Sequence, residues 1–186
     1  MNKSFSTKKL VITAMCVALC IVLPWVFHII PNFGSVFSPM HIPVLLCGLV
    51  CGWPLGLLCG ALGSGLSCLI TGMPPAPMLP PMMIELAVYG AVSGFLFDRI
   101  RTKNIFADLY ISLIPAMLIG RVIAGLARAW IFAPGGFSFA MWASSYFVKS
   151  LPGIVIHLIL IPAIVIALEK AKLTKTRYPK PREVQQ

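Results

Sequence analysis

The chain has 186 residues, 59% apolar and 11% charged, with a mean hydropathy of +0.93, a balance that excludes an ordinary soluble enzyme and makes the bilayer its solvent. A net charge of +10 would point to nucleic acid in a soluble protein, but here the cations are grouped around apolar runs and read as a topology signal. Six spans of roughly 20 residues with short connections would fill the length, without space for a soluble catalytic domain.

Apolar runs broken by Pro, Gly or charge predict spans at about 10–30, 41–51, 55–70, 81–97, 109–132 and 144–168, with a basic tail over 169–186. The expectation is an all-α integral membrane protein, a six-transmembrane-helix bundle forming one domain over 1–186. The first run is longer than a signal-peptide core and lacks a small-x-small cleavage site, so it reads as a retained helix. It carries Ala14 and Ala18 at four-residue spacing. The second run is short and turns tightly through Gly52-Trp53-Pro54 into the third, as a helical hairpin. Gly48 and Gly52, Gly56 and Gly60, and Gly90 and Gly94 repeat the four-residue spacing that lets helices approach closely in lipid, chiefly for internal packing.

Residues 72–83 hold Pro74, Pro75, Pro77, Pro80 and Pro81 among four methionines and no charge. Such a stretch favours extended polyproline geometry and reads either as a stiff outer connection or as a lid over a cavity mouth. Cys16, Cys20, Cys47, Cys51, Cys59 and Cys68 all fall within spans, as small buried hydrophobes. Lys3, Lys8 and Lys9 precede the first span, Arg99, Arg101 and Lys103 follow the fourth, and a basic run from Lys170 to Arg182 follows the last. The positive-inside rule then makes both termini cytoplasmic.

Within the spans stand Glu85, Arg121, Arg128 and Lys149. A charge at the centre of a membrane helix costs about 2.5–3.5 kcal/mol, so such residues usually face a bundle interior or a wet cavity. Counting about 1.5 Å of rise per residue puts Glu85, Arg128 and Lys149 within about 10 Å of the outer helix ends, in one layer, with Arg121 deeper. His41 opens the second span at the same level, and Tyr89 lies one turn below Glu85. Trp142 flanks the outer loop, as an interfacial belt residue or as a ring that stacks on a flat ligand. Three cations against one carboxylate leave a surplus near +2, which suits an anionic or amphoteric small molecule. The alternative is a structural ion pair with the remaining cations snorkelling outward. His157 reads as a satisfied interior histidine. Ser144, Ser145 and Lys149 are the nearest approach to a catalytic set, and hydroxyls at a helix start usually cap it, so no enzyme is expected, nor any cofactor or metal.

Six short helices with cytoplasmic termini, the Ala14/Ala18 pair and the polar outer layer resemble the substrate-binding S component of an energy-coupling factor (ECF) vitamin transporter. Ser38-Pro39-Met40-His41-Ile42-Pro43, Gly52-Trp53-Pro54-Leu55-Gly56, Thr71-Gly72-Met73-Pro74-Pro75 and Glu85-Leu86-x-x-Tyr89-Gly90 are similar to the branch that binds pantothenate, vitamin B6 or hydroxymethylpyrimidine. The resemblance implies a prokaryotic plasma-membrane subunit that captures a vitamin outside the cell. It also implies partners that supply the energy: a membrane scaffold (T) subunit, docked through Ala14 and Ala18, and two ABC ATPase subunits that use the ATP. The implied pocket lies at the outer ends of the last three helices, where Glu85, Arg128 and Lys149 stand; the expected substrate-binding set is His41, Glu85, Tyr89, Arg121, Arg128, Trp142 and Lys149, with Arg121 included on its depth alone. The rival expectation is a stand-alone proton-coupled secondary transporter, which would usually show inverted repeats; none is evident between the two halves.

Overall fold

The computed structural model describes residues 6–27, 37–132, 138–174 and 177–178, and among them there is no strand. The helices are α1 (Thr7–Val26), α2 (His41–Cys51), α3 (Trp53–Thr71), α4 (Leu79–Arg99), α5 (Ile105–Ala127), the short α6 (Phe139–Ala143) and α7 (Leu151–Lys170). A 3-10 turn, Ala76–Met78, leads into α4; single π turns, Arg128–Phe132 and Ser144–Val148, follow α5 and α6.

Among the described residues, five stretches are long and apolar enough to cross a membrane: Thr7–Val26, Trp53–Thr71, Ala76–Arg99, Ile105–Phe132 and Phe139–Lys170. The expected sixth crossing at 41–51 is α2, and its 11 residues reach only about 16 Å, half the hydrocarbon thickness. Residues 28–30, expected to end the first span, lie outside the described residues.

Local chemistry sets the boundaries. Gly52, at φ 95°, ends α2 and starts α3, with Pro54 in the first turn where a missing N–H is harmless. Gly72, at φ 72°, closes α3 in the left-handed conformation. The Asn104 side chain caps α5 by accepting from the Phe106 N–H at 3.0 Å. The proline-rich 72–83 segment is less extended than its composition suggests. Pro77 sits in the 3-10 turn, and Pro80 and Pro81 occupy the first turn of α4, the one place a helix accepts them.

The glycines act inside the bundle, as expected. A methyl on Gly90 would collide with the Gly56 backbone, one on Gly48 with the Gly90 carbonyl, and one on Gly60 with the backbone of Leu86, so α2, α3 and α4 meet backbone to backbone. On α1, Cys16 and Cys20 are buried, with Cys20 against Gly63 of α3, while Ala14 and Ala18 lie on the exposed face beside Val11, Met15 and Leu19. Cys47, Cys51 and Cys59 are buried at the same junction and Cys68 is half-buried. The α7 helix packs against α2 and α5.

Candidate functional site

Glu85 lies six residues into α4 and Arg121 six residues before the end of α5. On antiparallel helices that is the same depth, about 9 Å from the end of the bundle remote from the basic loops. The sequence reading set Arg121 deeper because it counted α-helix as far as residue 132, whereas the α-helical part ends at Ala127.

Tyr89, one turn from Glu85, joins the two charges. Its hydroxyl donates to Glu85 Oε1 at 2.9 Å and accepts from Arg121 Nε at 2.8 Å. Glu85 Oε1 and Arg121 Nε themselves stand 3.8 Å apart. Close approach of α5 makes this possible, since Gly120 lies directly on the Tyr89 ring and any side chain there would overlap it. Arg121 also donates to the Tyr146 carbonyl in the second π turn, and its guanidinium sits 5.6 Å from the Phe147 ring centre. Single π turns occur often at functional sites because they re-aim backbone groups. Here one presents a carbonyl to a buried arginine.

His41, at the start of α2, completes the cluster. Its Nε2 is 3.6 Å from Glu85 Oε1, its ring meets Tyr89 edge-on at 5.2 Å, and it stacks on His157 of α7 at 5.8 Å with 15° between planes. His41, Glu85, Tyr89, Arg121 and His157 are all buried. His157 differs from the satisfied residue expected. Neither of its ring nitrogens, nor His41 Nδ1, makes a hydrogen bond of good geometry among the described residues, and the backbone of Phe37 and Ser38 is the polar material beside it.

The other expected site residues stand apart. Trp142 is half-buried, with its indole against Gly125 and its ring 5.5 Å from Phe147, one contact removed from Arg121. Arg128 and Lys149 are exposed. Arg128 opens the first π turn, and Lys149 lies in the turn before α7. Arg128 is still close enough to act on the Tyr146 hydroxyl through both charge and hydrogen bonding, and Glu85 and Arg121 act on the same hydroxyl through their charges. The buried cluster thus pairs one carboxylate with one guanidinium, and the surplus near +2 inferred from sequence is not found inside it. His157, Phe147 and the Tyr146 carbonyl carried no sequence signal beyond their place in an apolar run.

A second buried acid occupies the opposite end. Asp108 accepts from Thr102 N at 2.8 Å, Thr102 Oγ1 at 2.7 Å, Arg177 Nε at 2.6 Å and Tyr178 Oη at 2.6 Å. Arg177 also donates to the carbonyls of Phe97 and Ile100 and lies 3.8 Å from the Phe97 ring centre. The basic tail, read from sequence as a topology signal alone, therefore supplies two residues that close this end. The fifth span was expected from residue 109, which left Asp108 in a loop.

A family model described as "ECF transporter, substrate-specific component" matches residues 8–165. Comparisons with curated proteins and with solved structures give no match.

Proposed function

The chain belongs to the substrate-specific components of ECF transporters, membrane subunits that bind a transported substrate rather than catalyse a reaction, and on that premise we propose that it captures a small vitamin or vitamin precursor outside a prokaryotic cell for ATP-driven uptake. The observation that carries this reading is the buried Glu85–Tyr89–Arg121–His41 cluster with His157 behind it. It combines an acid, a guanidinium, a phenol and imidazole nitrogens that make no hydrogen bond of good geometry among the described residues, all in one desolvated place. Buried polar groups left without partners are costly, and a ligand that supplies those partners would recover the cost as affinity.

With Arg128 and Lys149 outside the cluster, charge no longer favours an anion. A neutral or amphoteric heteroaromatic, such as a pyridine or pyrimidine vitamin, suits the paired charges and the His41, Tyr89 and Phe147 rings better than pantothenate does. Energy would come from a membrane scaffold subunit and two ABC ATPases. The exposed Ala14/Ala18 face of α1 offers the scaffold a close helix approach.

Binding isotherms for purified protein with each B vitamin and its precursors test the ligand: pyridoxine or hydroxymethylpyrimidine should bind most tightly. Tighter binding of pantothenate would reverse that preference, and binding of none would remove the assignment. The short His41–Glu85 distance also admits a stand-alone, proton-coupled transporter. Proteoliposomes separate the two modes, because uptake by the isolated chain under a proton gradient excludes the ATP-driven reading. Under that reading, Ala14→Leu with Ala18→Leu abolishes ATP-driven uptake in the reconstituted complex and leaves vitamin affinity unchanged.

A further inference from the structure

The basic end of the bundle carries a half-open cavity of about 550 Å³ between the start of α1, the last turns of α2, α4 and α7, and the chain that follows α7. Its walls are of two kinds. Leu49, Val50, Phe97, Val165 and Leu173 form apolar surface, and four cations, Lys8, Lys9, Arg101 and Arg177, face two carboxylates, Asp98 and Glu169.

These charges are not equivalent. Arg177 is committed to Asp108 and to two carbonyls, and its own backbone N–H donates to Glu169 Oε1 at 3.2 Å. Lys9 donates to the Cys51 carbonyl at 2.9 Å, capping the end of α2, and shares the surroundings of Gly52 with Asp98. Lys8 and Arg101 are exposed and take part in no ion pair among the described residues. The Thr174 hydroxyl lines the same cavity, buried and without a hydrogen-bond partner among those residues.

Apolar wall, uncommitted cations and an orphan hydroxyl together favour an amphiphile over a freely soluble anion. The cavity lies at the helix ends, the level of lipid headgroups, where clustered Lys and Arg attract anionic lipid. A guanidinium matches phosphate oxygens as a two-pronged donor. We propose that this cavity binds the phosphate headgroup of an anionic phospholipid from the surrounding leaflet, with Lys8 and Arg101 on the phosphate, Thr174 on the head, and Val50 and Leu173 against the first methylenes. This site is separate from the Glu85 cluster and does not depend on its ligand.

The test uses the full chain in a neutral detergent, titrated with dioleoyl-phosphatidylglycerol, dioleoyl-phosphatidylcholine or inorganic phosphate, and read by thermal shift and native mass spectrometry. Phosphatidylglycerol should raise the Tm and stay bound in the gas phase, and the other two should do neither. Lys8→Gln with Arg101→Gln should weaken phosphatidylglycerol binding about thirtyfold. Thr174→Val, which keeps every charge and carries the test if the double variant does not fold, should weaken it about threefold. Lys170→Gln with Lys172→Gln, basic residues at the same end that do not line the cavity, should leave it unchanged. An equal response to phosphatidylcholine, an equal loss in the Lys170/Lys172 pair, or the same stabilisation by inorganic phosphate alone overturns the lipid assignment; the last would identify a free-anion site instead.

Discussion

Glu85 and Asp108 are both buried acids near the start of a long helix, and each has an arginine and a tyrosine at hand, but the two ends of the bundle use these groups differently. Asp108 accepts four hydrogen bonds, and its arginine spends further donors on the carbonyls of Phe97 and Ile100. Among the described residues Glu85 accepts one, from Tyr89, with Arg121 at 3.8 Å and His41 at 3.6 Å held back from hydrogen-bond distance. A saturated acid has nothing left to offer a ligand and serves to hold the chain together. Under the proposed function, an acid with spare lone pairs, beside three imidazole nitrogens that make no hydrogen bond of good geometry among the described residues, is where a ligand would be received.

The sharpest way to break this contrast is at the saturated end. Asp108→Ala leaves Arg177 without its carboxylate and frees the tail, and removing one member of a buried ion pair costs about 3–5 kcal/mol. The expected result is a large fall in Tm in detergent, with vitamin affinity unchanged in the protein that remains folded. A normal Tm, or a specific loss of vitamin binding, would show that the two ends are not divided between stability and recognition.

At the unsaturated end the order of effects should reverse. Glu85→Gln keeps the shape, and Arg121 retains Tyr89 and the Tyr146 carbonyl but loses its countercharge, so the Tm should fall by less than in Asp108→Ala. Vitamin binding should weaken by about 2 kcal/mol, the scale of a hydrogen bond to a charged group, or roughly thirtyfold. His157→Leu sharpens the point further. Among the described residues His157 makes no hydrogen bond of good geometry, with only the Phe37 and Ser38 backbone beside it, so the Tm should change little, while binding falls by about 1 kcal/mol if the imidazole meets the ligand. A Tm loss with unchanged binding would mean that His157 is structural.

Much of this architecture was legible because it depends on local chemistry. Glycines and prolines at 52, 54 and 72 mark where helices begin and end, four-residue glycine spacing marks where α2, α3 and α4 touch, and Glu85 and Arg121 stood out as charges inside apolar runs. What could not be read was pairing between distant segments. Asp108 looks like any acid in a first turn until Arg177, 69 residues later, closes over it. The depth of Arg121 depended on where α-helix gives way to a π turn, and no residue type announces that change. His157 reads from sequence as a satisfied interior histidine for the same reason: what its ring nitrogens meet is a property of what the other segments bring to it.

The smallest expected effects test which charges belong to the cluster. Counting rise along an unbroken helix puts Arg128 and Lys149 in one layer with Glu85, and on that basis either replacement by Met would cost a charge-assisted hydrogen bond to the ligand, more than 1 kcal/mol. In the structure both are exposed, and substitutions at exposed positions usually stay within about 0.5 kcal/mol. Arg128→Met and Lys149→Met should therefore change vitamin affinity less than about threefold and leave the Tm in place. A tenfold loss in either isotherm would mean that the vitamin reaches past the Glu85–Arg121 pair to the bundle's rim. The local surplus of positive charge would then return, and with it the preference for a carboxylate such as pantothenate over a neutral ring.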